Sequence, residues 1–143
     1  MASGTHTIKV NYPISKVWEF VSDINKWAPL VPGYIEHIII SENKLTWKFV
    51  SDIGIMKRTL HMDVKITNWQ EPTKVTFNLK GINENFTGDG SFEAVSINDT
   101  ETQITGFLNI TAGGMLSPAI NPVLKTVIPK TTTELTQAIG RAI

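Results

Sequence analysis

The sequence predicts an α+β fold in which an antiparallel sheet of about seven strands curves around a long C-terminal helix. Three stretches of the 143 residues carry this prediction. Residues 1–33 hold a short alternating segment followed by helical spacing, residues 34–111 alternate apolar and polar side chains, and residues 115–143 return to helical spacing. Because no linker or repeat separates the stretches, residues 1–143 are expected to form a single domain.

The first stretch predicts a strand and two short helices. Period-two alternation runs to Val10, and Pro13 ends this strand because proline cannot donate a ladder hydrogen bond. Val17 and Val21 belong to an apolar stripe with helical spacing. A second short helix is predicted over residues 24–27. The chain then turns toward the sheet.

The middle stretch predicts six further strands. They cover residues 34–41, 45–50, 56–69, 75–80, 86–97 and 104–110. Alternation along each strand indicates one covered and one wet face, as in an antiparallel sheet. Gly88, Gly90 and Gly106 fall on covered positions, where the missing side chains help the sheet bend and leave space. Whether that space is a cavity or is filled by the helix stays open at this point.

The last stretch predicts the helix that covers the sheet. Asn121 is a candidate N-cap, with Pro122 at the first helical position. The apolar stripe of this helix contains Val123, Leu124, Val127, Ile128, Leu135 and Ile139. The predicted element order is therefore β-α-α-β6-α.

Composition excludes several classes of function. Hydrophobic residues make up 41% and charged residues 18% of the chain, which indicates a globular protein. Thirteen basic and thirteen acidic residues cancel, so no nucleic-acid partner is expected. There is no cysteine, no metal-ligand spacing among the three histidines and no cofactor motif, so neither metal nor cofactor is expected. No membrane span or signal-peptide pattern is visible, and we expect a cytoplasmic protein.

The opening block resembles a known superfamily. Residues 10–23 read VNYPISKVWEFVSD, and Trp27 and the pair Pro32-Gly33 follow. This pattern is similar to the START/Bet v 1-like (SRPBCC) helix-grip superfamily, and within it to the branch of CoxG-like proteins, named after carbon monoxide dehydrogenase, and polyketide cyclase-like proteins. The motif covers about the first quarter of the chain, and the element order covers nearly all of it. The resemblance implies a ligand-binding domain with Ile53, Ile55 and Ile82 as gate residues; packing of these loop tips against the helix is the alternative.

Apolar residues on the covered face and on the helix stripe are candidates to line a ligand cavity. They are Trp18, Tyr34, Trp47, Phe49, Met56, Leu60, Met62, Phe77, Phe92, Leu108, Leu124, Val127 and Ile128. Methionine thioethers adapt to variable ligand shapes, and aromatic rings give large apolar contacts. Ordinary core packing is the alternative for each of them.

Arg58 is the charged residue of greatest interest, because its parity puts it on the covered face of its strand. A guanidinium at that position needs an acceptor. It is therefore a candidate to bind a carbonyl, carboxylate or hydroxyl of a ligand. The alternatives are a side chain that reaches solvent, or an ion pair with Glu36 or Asp89.

Three functions compete. The sequence favours a binding or carrier protein for a lipid, an isoprenoid quinone or a polycyclic aromatic, because it contains no catalytic motif. An enzyme of the cyclase, dehydratase or aromatase type would use Arg58, Tyr34 and His37, whose spacing forms no motif. The CoxG resemblance implies a third function, an accessory protein that contacts a membrane-associated enzyme transiently during its maturation.

Overall fold

Seven strands and three α-helices follow one another in the predicted order. The computed structural model describes residues 2–53, 56–82 and 85–143, without the side chains of residues 52, 53 and 56. The elements are β1 (Ala2–Val10), α1 (Ile14–Val21), α2 (Ile24–Trp27), a 3-10 helix (Ala28–Leu30), β2 (Tyr34–Ser41), β3 (Lys44–Ile53), β4 (Met56–Gln70), β5 (Lys74–Gly81), β6 (Phe86–Asn98), β7 (Glu101–Ala112) and α3 (Ser117–Ala142). The α+β class and the β-α-α-β6-α order are confirmed.

The strands form one curved antiparallel sheet in the order β1-β7-β6-β5-β4-β3-β2. Strands β2 to β7 run as successive hairpins, and β1 joins the far side beside β7. The two edges are therefore β1 and β2. Period-two burial along β4 and β5 separates an inner face from an outer one: Leu60, Met62 and Val64 are buried, whereas Lys57 and Lys65 are exposed.

Helix α3 covers the inner face and packs chiefly on β1 and β7. Its buried residues are Leu124, Ile128, Thr132, Leu135, Thr136 and Ile139. The helix backbone comes close to β1 because Gly4 has no side chain: a Cβ there would lie 2.6 Å from Pro129 Cα and 3.0 Å from the Ile128 carbonyl oxygen. Glycine thus permits the contact between helix and edge strand.

The predicted start of α3 at Asn121 is wrong, because the helix begins four residues earlier, at Ser117. The Asn121 side chain instead binds the end of β7, where its Oδ1 accepts from the Ala112 N–H at 2.8 Å and its Nδ2 donates to the Ala112 carbonyl at 3.0 Å. Pro122 consequently lies inside the helix rather than at its first position.

Candidate functional site

A narrow apolar chamber lies between the inner face of the sheet and the middle of α3. It is lined by Val31, Trp47, Phe49, Ser51, Leu60, Met62, Leu79, Leu108, Ile110, Ile128 and Thr131. The hydroxyls of Ser51 and Thr131 are the only polar side-chain groups in this described lining. The chamber volume is about 10 Å³, which is room for roughly one water molecule. In this conformation the side chains therefore nearly fill the chamber.

The inward glycines do not enlarge it. A Cβ on Gly106 would overlap Thr136 Oγ1 of α3, and a Cβ on Gly90 would overlap the ring of Phe77. At Gly88 the same atom would meet the carbonyl oxygen of Asn109 on the neighbouring strand. The space that the sequence left open at these glycines is filled by a helix hydroxyl, an aromatic ring and backbone.

An open cleft adjoins the chamber. It is lined by Pro32, Gly33, Phe49, Val50, Ser51, Lys57, Thr126, Val127, Lys130, Thr131 and Glu134, and its volume is about 520 Å³. Gly33 adopts a positive φ of 77°, and its carbonyl accepts a 2.8 Å hydrogen bond from the Val50 N–H, which joins the turn before β2 to β3. Phe49, Ser51 and Thr131 line both spaces, so chamber and cleft meet at these three residues.

The structure brings together part of the predicted cavity set. Residues of that set that line the chamber are Trp47, Phe49, Leu60, Met62, Leu108 and Ile128. Val127 lines the cleft, and Leu124 is buried on α3 outside the described lining of both spaces. Sequence reasoning missed Val31, Ser51, Leu79, Ile110 and Thr131 as lining residues. Strand parity could have found Leu79 and Ile110, whereas the two hydroxyl residues carry no apolar signal.

Trp18, Phe77 and Phe92 lie away from the chamber. Phe77 and Phe92 pack on Trp27 of α2, with ring centroids 6.0 Å and 5.4 Å from the Trp27 centroid. Trp18 of α1 meets Trp69 edge to face at 6.3 Å. All three predicted cavity residues therefore belong to packing beneath α1 and α2.

Trp27 is the centre of the aromatic cluster and was not among the predicted cavity residues. It is fully buried, and its Nε1 donates to the Val21 carbonyl at 3.0 Å. Its ring also lies edge to face against Trp47, with centroids 5.6 Å apart. Trp47 in turn donates to the Ala28 carbonyl at 2.9 Å. Since Trp47 also lines the chamber, the cluster forms one of the chamber walls.

Tyr34 and His37, two candidate acid–base residues, form a hydrogen-bonded chain with α2. Tyr34 Oη lies 2.8 Å from His37 Nδ1, and His37 Nε2 lies 2.8 Å from Asn25 Oδ1. Because an amide oxygen only accepts, Nε2 carries the proton and Nδ1 accepts from the tyrosine. Neither residue belongs to the described lining of the chamber, so the chain ties β2 to α2.

Arg58 lies opposite Ser51 in the β3–β4 pairing and is partly buried. Two carboxylates considered as its partners have other neighbours: Glu36 lies 3.8 Å from Lys48 Nζ, and Asp89 accepts from Asn109 Nδ2 at 3.0 Å. Among the expected gate residues, Ile82 is 48% exposed. Ile55 and the side chains of Ile53 and Met56 lie outside the described residues.

Metal clusters and membrane-spanning helices are both absent from the described residues. No group of three or more histidine, aspartate or glutamate residues there is arranged to hold a metal ion. Within the same ranges, no helix has the length and apolar character needed to cross a membrane.

The curved sheet closed by a C-terminal helix defines a helix-grip protein. Its solved neighbours include a conserved protein from Geobacillus kaustophilus, with 20% identity, a TM-score of 0.77 and coverage of 97% of this chain and 93% of that one. A START superfamily protein from Mycobacterium smegmatis has 16% identity and a TM-score of 0.75, with 99% and 97% coverage. The Zhui aromatase/cyclase from a Streptomyces species has 17% identity and a TM-score of 0.71, with 98% and 92% coverage.

The chain has the START-like (SRPBCC) form of the helix-grip fold. A family model described only by likeness matches residues 1–143, the whole chain, in agreement with the fold neighbours. No curated protein matches the sequence. The narrower resemblance to the CoxG branch stays a prediction.

Proposed function

We propose that the chain binds a hydrophobic small molecule, such as a lipid, an isoprenoid quinone or a polycyclic aromatic, between α3 and strands β3 and β4. The observation that carries this proposal is the apolar chamber that adjoins an open cleft of about 520 Å³. Ligand would reach the chamber past Phe49, Ser51 and Thr131, which line both spaces. The lining residues of the two spaces are the proposed ligand contacts.

Binding requires the chamber to widen, because about 10 Å³ does not hold an organic ligand. Burial of a chain of about ten methylenes would gain roughly 8 kcal/mol, which corresponds to about a micromolar dissociation constant before any cost of opening. Met62 is an adaptable wall, since its unbranched side chain has three rotatable bonds. Ile128 forms the opposing wall on α3.

Native mass spectrometry combined with an environment-sensitive apolar dye tests the proposal. We expect a bound lipid-like mass after gentle purification, or dye fluorescence that a fatty acid displaces. If lipid extraction, native mass spectra and the dye all reveal no bound molecule, the proposed function fails.

A matched pair of α3 variants locates the site. Ile128→Ala removes a chamber wall, whereas Leu135→Ala removes an equally buried side chain that is absent from the described chamber lining. Each should lower the free energy of unfolding by about 2–5 kcal/mol. Only Ile128→Ala should raise dye binding, because only that cavity adds to the chamber. Equal dye binding by both variants would contradict the proposed site.

A cyclase- or aromatase-type enzyme is the second candidate, and the fold likeness to the Zhui aromatase/cyclase supports it. Such chemistry requires an acid or base beside the substrate. In the described lining of the chamber the polar side chains are the hydroxyls of Ser51 and Thr131, so binding is preferred to catalysis. Turnover of an aromatic polyketide mimic that disappears in Arg58→Ala would reverse this preference.

The CoxG-like accessory function is a further proposal, in which the chain contacts a membrane-associated enzyme. The resemblance of residues 10–23 supports it. Affinity capture with tagged protein from detergent-solubilised membranes would test it, and absence of a co-purified enzyme would count against it.

A further inference from the structure

The cleft outside the chamber has a cationic lining. Lys57 of β4 and Lys130 of α3 line it together with a single acidic residue, Glu134. Two positive charges against one negative charge give a local excess of +1 (2 − 1), although the whole chain has a net charge of zero. Both lysines are exposed, and the ion pairs among the described residues involve neither of them.

Polarity changes in steps from the cleft to the chamber. The described chamber lining contains no charged side chain. Ser51 and Thr131 stand where the two spaces meet, and the lysines lie on the cleft side only. A molecule that occupies both spaces would therefore meet water and positive charge at one end and apolar side chains at the other.

We infer that the ligand is an acidic amphiphile, whose apolar chain enters the chamber while its carboxylate or phosphate stays in the cleft beside Lys57 and Lys130. This inference rests on the proposed function and specifies its ligand class. An anionic head in an open cleft keeps most of its hydration, so it avoids the desolvation cost of a buried charge. The long flexible stems of the lysines let their ammonium groups follow the head.

The expected selectivity is modest, because exposed ion pairs are screened by water and salt. Each lysine should contribute about a two- to five-fold change in affinity at low ionic strength. The contribution should shrink as salt is added. Glu134 acts in the opposite sense, since its carboxylate repels an anionic head.

Three chain-matched probes test the inference: dodecanoate, dodecyl phosphate and dodecanol, measured by dye displacement below their aggregation concentrations. We expect both anions to bind more tightly than the alcohol. Lys57→Gln and Lys130→Gln should each weaken the anions about two- to five-fold and leave dodecanol unchanged. Glu134→Gln should strengthen the anions. Lys125→Gln is the control, because Lys125 is an exposed lysine on the same helix that is not among the cleft residues.

The outcomes separate the head group from the site. Preference for dodecanoate alone or for dodecyl phosphate alone supports the inference and distinguishes a carboxylate from a phosphate source. Equal binding of all three probes that neither lysine substitution alters overturns the inference, while the proposed function stands. Failure of all three probes to displace the dye, or to bind in native mass spectra, overturns both. Melting curves of the variants confirm that each remains folded.

Discussion

The inner face of the sheet has two halves that α3 covers differently. On the β1–β7 half, the helix backbone approaches Gly4, and Thr136 occupies the space above Gly106. On the β3–β4 half, larger side chains hold the helix farther away and leave the chamber and the cleft. The comparison teaches that small inward residues here close the helix onto the sheet. Space for a ligand arises instead where bulky residues of sheet and helix meet imperfectly.

Threonine hydroxyls complete the closed half. Thr132 Oγ1 donates to the Ile128 carbonyl and Thr136 Oγ1 to the Thr132 carbonyl, each at 2.7 Å. Both side chains are buried, and these bonds satisfy their hydroxyls without partners on the sheet. The helix can therefore present small polar residues to glycine strands at no cost in unsatisfied groups.

The largest expected effect comes from Trp27, which walls the open half off from the packing beneath α1 and α2. Trp27→Ala should lower the free energy of unfolding by about 3–5 kcal/mol, measured by urea denaturation. The emptied volume lies against Trp47, a chamber residue, so the variant should also bind more apolar dye.

Trp27→Phe is the control for this variant. It keeps an aromatic ring in the cluster but removes the donor to the Val21 carbonyl, and should lower stability by about 1–3 kcal/mol. A Trp27→Ala protein as stable as the parent would contradict the view that Trp27 forms a wall between the regions.

A double-mutant cycle at Gly106 and Thr136 tests the closed half. Gly106→Ala should lower stability by about 1–3 kcal/mol because the new methyl overlaps Thr136 Oγ1. Thr136→Ala removes that oxygen, so the double variant should lose less than the sum of the two single variants. Gly113→Ala, whose Cβ would meet only the Asn85 side chain, at 3.2 Å, is the control. Strict additivity would show that helix and sheet are not in contact here.

The smallest expected effect concerns the edge of the closed half. Lys9 of β1 lies 2.9 Å from Glu101 of β7. The hydrogen bond from Lys9, followed by one from Asn98 and the charge of Lys9, lowers the pKa of Glu101. A lowered pKa in the folded state stabilises the protein above the unfolded pKa, and this contribution is lost as the pH falls through the folded pKa.

Because the Glu101 pair is exposed, the change in global stability should be slight. An NMR titration should detect the lowered pKa directly, and Lys9→Gln should raise it. Lys125→Gln should leave the titration of Glu101 unchanged. A Glu101 carboxyl that titrates at the same pH in the parent and in Lys9→Gln would contradict the assignment.

The wall residues illustrate how far sequence reasoning reaches. Period-two alternation put Leu60 and Met62 on the covered face, and the structure buries both beside the chamber. The same alternation put Phe77 on that face, but could not say that Trp27 of α2 would cover it. Thr131 escaped notice because its place in the wall depends on how α3 lies over β3, which no local pattern records.

The sequence by itself determined the α+β class, the number and order of elements and the inward face of each strand. These follow from side-chain periodicity and turn residues, which act over a few positions of the chain. Tertiary structure alone decided that the inward glycines would be filled, that Asn121 would bind the end of β7, and that the chamber would narrow to the size of one water. Those outcomes depend on how distant surfaces fit together, and a close-packed interior responds to the shape of every neighbour at once.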